Sequence, residues 1–193
     1  MSDINCPILI TSFQTWQKHQ ASNASDDLIA ALQAENRLPD NAVLLRHLPV
    51  SFELAHKQVE EEIMRSRPSI VICCGMAESR SVLSIEKQAT HYPLKPTAHL
   101  EKMKDDCKPV LQTNIDVHSL IADTLLSEVS EDAGSYVCNH LYYQTLALSR
   151  KLAWEIVVLF IHVPVLNSRN THALIEDFSA IIERLSVRIS QPS

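Results

Sequence analysis

Glu155-Ile156-Val157-Val158-Leu159-Phe160-Ile161-His162-Val163, closed by Pro164, is the most apolar segment of the chain. An unbroken apolar run rich in β-branched residues is the pattern of a strand buried on both faces, as in a parallel sheet. After the leading Glu155 the one polar residue is His162, which falls at the carboxyl end, the edge at which open α/β sheets bind ligands.

Working outward, residues 7–12 (PILITS), 42–48 (AVLLRHL, closed by Pro49) and 68–75 (PSIVICCG) read as further strands. Cys73 and Cys74 are adjacent, so they face opposite sides of their strand and are unsuited to a shared metal or disulfide. Residues 81–90 partly alternate and read as one extended segment carrying Glu86. Helical periodicity fills the gaps. Asn23-Ala24-Ser25 offers N-caps for a helix to about residue 36, with Leu28, Ile29 and Leu32 inward. Residues 52–65 turn Leu54, Val59 and Ile63 inward and Glu60-Glu61-Glu62 to solvent. Asn114-Ile115-Asp116 caps a helix predicted to run to about residue 129. Another helix begins near Cys138 and ends near residue 152. A closing helix over residues 171–189 buries Leu174, Phe178, Ile181, Ile182 and Leu185. Residues 91–109, with Pro93, Pro96 and Pro109, have no period and read as a loop or arm. Strands alternating with helices predict a single-domain three-layer α/β/α sandwich over residues 1–193, its central sheet parallel or mixed.

Composition narrows the function classes. The chain has 193 residues and a net charge of -6. That length buries roughly 70 % of the unfolded surface without staples. An acidic balance with no basic run argues against nucleic acid as a partner. The longest apolar run, residues 156–161, is too short to span a bilayer, and the first residues show no signal-peptide pattern. Five cysteines, an odd number with no CxxC pair, suit reduced thiols in the cytoplasm. Two glycines cannot build a phosphate loop, and no cofactor is implied.

Cys138 stands where Gly134-Ser135-Tyr136-Val137-Cys138-Asn139-His140 leads through a polar turn into a helix. Unpaired N–H groups and the macrodipole at a helix start favour an anion, so a depressed thiol pKa is expected there. The alternative is a buried cysteine acting as a small hydrophobe. Cys138, His162 and Glu86 could converge on one sheet edge as nucleophile, base and orienter. Phe13 and Trp16 lie just past the first strand's carboxyl end, where either core or ligand contact is open to them. Cys138 and His140 lack further ligands at metal spacing, so no metal site is expected.

These residues resemble a known family. Residues 133–140 (AGSYVCNH) look like the nucleophile motif of pyroglutamyl peptidase I, a cysteine exopeptidase. Residues 160–164 (FIHVP) resemble its histidine motif, 84–89 (SIEKQA) its glutamate segment, and 8–13 (ILITSF) its opening strand. The resemblance implies removal of an N-terminal pyroglutamyl residue from a blocked peptide through an acyl-enzyme. Cys138 would attack, His162 would move the proton and Glu86 would orient it. It also implies that Phe13 packs on the lactam ring, with Trp16, Asn23 and Met76 on the substrate side, and that the chain assembles as a homo-oligomer.

The departures gather on that substrate side. The family's Gly-Phe-x-Pro-Phe-Gly-Gly opening is here Ser12-Phe13-Gln14-Thr15-Trp16-Gln17-Lys18. Its Gly-Gln-Ala-Gly-Gly-Arg loop is Gly75-Met76-Ala77-Glu78-Ser79-Arg80, and a thioether lacks the donor of a glutamine amide. The Arg-Ile-Pro-Asp segment has no recognisable counterpart, and Lys95 is the nearest substitute for its basic residue. Three readings follow: a pyroglutamyl peptidase, a thiol hydrolase of the same fold with another substrate, and a non-catalytic binding protein that keeps the trio.

Overall fold

The structure is a computed structural model that describes residues 6–92 and 110–190. The chain runs β1 (Ile8–Phe13), α1 (Ala24–Ala34), β2 (Ala42–Leu48), α2 (Phe52–Ser66) and β3 (Ile70–Met76). It continues through β4 (Leu83–Glu86), β5 (Gln88–Thr90), β6 (Val110–Gln112), α3 (Val117–Leu120) and β7 (Ser127–Ser130). It closes with α4 (Val137–Ser149), β8 (Val157–Val163) and α5 (Thr171–Ser190).

Six strands form one sheet in the order β2-β1-β3-β8-β4-β7. It is mixed, because β4 runs antiparallel to β8 while the other neighbouring pairs are parallel. Side-chain alternation divides the core into two layers. Ile161 and Val163 of β8 pack with α1, α3 and α5 on one face; Val158 and Phe160 pack with α2 and α4 on the other. Large side chains such as Phe160, Phe178 and Leu28 are fully buried, each stabilising the fold by about 1.5–3 kcal/mol. Cys73 and Cys74 lie in opposite layers, as alternation dictates.

The helices start and stop as their sequences direct. Asn23 caps α1 by accepting from the Ser25 N–H, and Ser51 caps α2 by accepting from Leu54 N–H. With glycine scarce, the end of α2 uses Arg67 in the left-handed region, at φ 47°. The predicted inward residues of α1 and α5 are all buried.

Three expectations are corrected. Residues 114–129 are not one helix: α3 spans only Val117–Leu120, and β7 follows as an edge strand on β4. Asp123, at φ 64°, turns the chain out of any helix, and buried Asp177 of α5 accepts from the Leu125 and Leu126 N–H groups. Residues 81–90 are two strands, β4 in the main sheet and β5 in a separate pair with β6. Leu54 is exposed rather than inward, and Ala55 takes the buried position of α2. The predicted arm lies, from residue 93 to 109, outside the described residues, and Lys95 with it.

Candidate active site

β1 has β2 on one side and β3 on the other, so the connections leaving these strands diverge there. Such a switch point opens a crevice at the carboxyl ends of the strands. A cavity of about 480 Å³ sits there, lined by Phe13 at the end of β1, Met76 at the end of β3, His162 of β8 and Cys138 of α4.

Strand periodicity aims these side chains. His162 shares a face with Phe160, two residues earlier, and turns towards the layer that holds α4. Its register partner on β3 is Gly75. A Cβ at Gly75 would stand 2.7 Å from the Cys138 sulfur and 2.9 Å from Phe160 Cζ. The absence of a side chain on β3 is therefore what lets the thiol lie on the sheet beside His162.

Gly134 serves the same end differently. Its φ of 76° is a left-handed conformation that glycine adopts without strain, and its N–H donates to Asp132 Oδ1 at 2.9 Å. That turn brings the chain into α4 at Val137, one residue before the sulfur. Tyr136, the N-cap, supplies no side-chain hydrogen bond to the first-turn N–H groups.

The expected depression of the thiol pKa does not occur. Burial pushes the Cys138 thiol up to about 12, and the neighbouring Cys73 and Glu86 act in the same direction. Its own backbone N–H is the single opposing influence. Packing against Gly75 and Phe160 removes more hydration than one helix turn returns. Cys138 is accordingly a protonated thiol that needs a base.

His162 lines the same cavity as Cys138. Its Nδ1 lies 2.7 Å from Glu86 Oε1, and Glu86 is completely buried. A carboxylate can only accept, so Nδ1 carries the hydrogen of that bond. The ring is only 6 % exposed and packs against Phe160 with centroids 4.9 Å apart. Glu86 is itself positioned by β4 running antiparallel to β8, and the Tyr142 hydroxyl donates to its backbone carbonyl at 2.8 Å.

The rest of the cavity wall comes from the loops that follow β1 and β3. Phe13 is buried, whereas Trp16 is half exposed and stands 5.2 Å from the Tyr136 ring. Asn23 lines the cavity, but its amide is engaged: Oδ1 accepts from Ser25 and Nδ2 donates to the Gln14 carbonyl. The Met76 sulfur accepts from the Ala24 N–H at 3.3 Å. Gln20 clasps the two loops together. Its Oε1 accepts from the Trp16 and Gln17 N–H groups, and its Nε2 donates to Glu78 Oε1 at 2.8 Å. That bond first, then His19, holds the Glu78 carboxyl below its usual range.

Sequence reasoning missed the tasks of several residues. The sequence places Gly75 at the end of a strand and the start of a changed loop, but its close approach depends on what packs above it. Asn139 grips β5 by accepting from the Thr90 N–H and donating to the Thr90 carbonyl. Its place between Cys138 and His140 in the motif was the available signal. No three His, Cys, Asp or Glu side chains cluster as a metal site among the described residues.

A cysteine in a crevice at the carboxyl edge of an α/β sheet, beside a histidine fixed by a buried carboxylate, has the form of a thiol hydrolase site. The comparisons with known proteins narrow that class. The family model for pyroglutamyl peptidase matches residues 6–183, and the chain belongs to the pyroglutamyl peptidase family. It is 28 % identical over 195 residues to the pyrrolidone-carboxylate peptidase of Thermosipho melanesiensis, covering 89 % of this chain and 92 % of that one. The pyrrolidone-carboxylate peptidase of Lactobacillus helveticus is 27 % identical, covering 84 % of this chain and 85 % of its own. Among solved structures, the pyrrolidone carboxyl peptidase of Thermococcus litoralis superposes with a TM-score of 0.73 at 22 % identity, covering 96 % of each chain. Pyroglutamyl peptidase I of Bacillus amyloliquefaciens gives 0.72 at 19 % identity, covering 91 % of this chain and 94 % of that one. The fold is shared throughout.

Proposed function

We propose that this chain removes N-terminal pyroglutamyl residues from peptides, with Cys138 as nucleophile, His162 as general base and acid, and Glu86 as its orienter. The observation that carries this is the 2.7 Å bond from His162 Nδ1 to Glu86, in the same cavity as Cys138, in a chain of this family. The thiol proton passes to His162 Nε2 as sulfur attacks the pyroglutamyl carbonyl. Because the thiol is raised to about 12, attack and proton transfer go together rather than from a standing thiolate. The developing oxyanion faces the first-turn N–H groups of α4, each worth about 3 kcal/mol in comparable sites. His162 then protonates the leaving amine, leaving a thioester. Water, deprotonated by the same nitrogen, attacks the thioester; the carbon–sulfur bond breaks, the sulfur takes that proton back from His162, and pyroglutamate is released.

Phe13 is the floor for the lactam ring, Trp16 the outer wall, and Met76 and Asn23 complete the pocket by shape, since their polar atoms already hold α1. That engagement favours a second reading, a thiol hydrolase of this fold with a changed small-amide substrate. Among the described residues no helix is long and apolar enough to cross a membrane. The four cysteines in the described residues are all free, which supports a reducing, cytoplasmic setting.

The test is hydrolysis of a pyroglutamyl arylamide beside a panel of other N-terminal arylamides. Turnover of the pyroglutamyl compound is expected, with Cys138→Ala and His162→Ala each losing at least about a hundredfold in kcat. Turnover of a different member of the panel alone would move the assignment to the second reading. A thiol that neither turns over any substrate nor alkylates would leave only a binding role.

A further inference from the structure

We propose that Arg80 is a positioning residue of this site, sharing the Glu86 carboxylate with His162 and thereby setting the imidazole's protonation and aim. The proposal rests on the His162–Glu86 assignment above. Arg80 ends the loop that follows β3, its N–H donating to the Ala77 carbonyl at 3.1 Å. One arm of the guanidinium, Nη1, lies 3.0 Å from Glu86 Oε1, the same oxygen that bonds His162. The other arm, Nη2, donates to the Asp132 backbone carbonyl at 2.8 Å. One side chain thus links the acid to the turn that delivers Cys138.

Glu86 has little else to bind. Its side chain is fully buried, and Oε2 has no hydrogen-bond partner among the described residues. The buried carboxylate thus carries the His162 hydrogen bond and the Arg80 ion pair on one oxygen, and Arg80 is the permanently charged partner. The two contacts, 2.7 Å and 3.0 Å to one oxygen, keep the guanidinium and imidazole nitrogens within about 6 Å of each other. At that range a full charge moves a titration by about half to two pH units, according to how far solvent screens it.

The other charged and titratable groups facing this cluster do not take over that task. Glu128 of β7 is 4.0 Å from Arg80 Nη1 and accepts from Ser84 Oγ at 2.7 Å. The Asp132 carboxylate accepts from the Gly134 N–H, and Lys87 pairs with Glu131. Cys138 and Cys73 are protonated thiols, both raised by burial, and the Tyr142 hydroxyl is held protonated for the same reason. Among the described residues Arg80 is the permanent cation in contact with Glu86, and its side chain is 22 % exposed on the wall of the cavity. Removing it leaves the carboxylate's charge to the imidazole alone. The imidazolium then persists to higher pH, and the base is absent over more of the acidic range.

The experiment compares wild type with Arg80→Met and Arg80→Lys in two pH profiles. One is kcat/KM on a pyroglutamyl arylamide; the other is the rate of Cys138 alkylation by iodoacetamide, which needs no substrate. For Arg80→Met, kcat is expected to fall roughly tenfold or more with little change in KM, and the acidic limb of both profiles to move up by about half to two units. Arg80→Lys, which keeps the charge, restores the limb while recovering only part of kcat, because one ammonium does not reach both acceptors in the guanidinium's fork. Acidic limbs unmoved in Arg80→Met would overturn the proposal, as would an equal shift in Arg80→Lys. An inactive wild type whose alkylation limb still moves in Arg80→Met would count against the substrate reading and not against Arg80.

Discussion

Both glycines of the chain serve the site, and each does so for its own reason. Gly134 supplies a positive φ; Gly75 supplies room. An added methyl at Gly75 would meet the Cys138 sulfur at 2.7 Å, and the Phe160 ring behind it is fully buried and cannot withdraw. Gly75→Ala is therefore expected to displace the thiol. Misplacement of a reacting atom by about 1 Å costs up to roughly a hundredfold in rate, so kcat and the alkylation rate of Cys138 should both fall. The far-ultraviolet spectrum should stay the same. Wild-type alkylation in a folded Gly75→Ala protein would remove the close-approach account. The thiol itself shows where residue-scale reading stops. A helix start is visible in the motif around Cys138, but the sign of its pKa shift depends on Gly75 and Phe160, which come from two other strands.

At the scale of elements, the segment before β7 is held by one buried carboxylate on α5. Asp177 accepts from Leu125 N–H at 2.9 Å, Leu126 N–H at 2.6 Å and Ser127 Oγ at 2.8 Å. Asp177→Ala leaves two backbone donors without this partner, at a cost of about 1–3 kcal/mol. The urea midpoint should drop accordingly, and amide exchange over residues 125–130 should speed up. Unchanged exchange there would refute the anchoring role. The same contact explains the misread helix. Val117, Leu120, Ile121 and Leu125 recur at helical spacing, but the N–H groups of residues 125 and 126 go to a side chain about fifty residues away. Periodicity cannot see a competing acceptor that far along the chain. β4 is a similar case: residues 81–90 read as extended, yet their division between two sheets depends on which strands lie beside them.

Over the whole molecule, the buried thiols set a pH limit. Cys73 and Cys138 are each raised from an ordinary 9.0 to about 12, and Cys74 is raised by the same burial. Between those values the unfolded chain gives up protons that the native chain retains. Stability is thus unaffected by these groups below about pH 9 and falls as pH rises towards about 12. Each fully buried thiol contributes at most about 1.4 kcal/mol per pH unit, and Cys138, partly open to the cavity, contributes less. Urea midpoints should fall steadily from about pH 9 upward, less steeply in Cys73→Ala. A flat alkaline series would show that the native thiols ionise without penalty.

The strands β1, β2, β3 and β8, the buried faces of α1 and α5, and the family were legible in the residues alone, because apolar period and short motifs are local properties. The identities of Cys138, His162 and Glu86 as candidates were legible in the same way. Contacts in three dimensions were needed to see that β4 runs against β8, that Glu86 is fully buried against a histidine 76 residues away, and that Arg80 pairs with the same carboxylate. Strand order and desolvation arise from contacts between distant segments. No local pattern records how much water a side chain loses when the sheet closes around it.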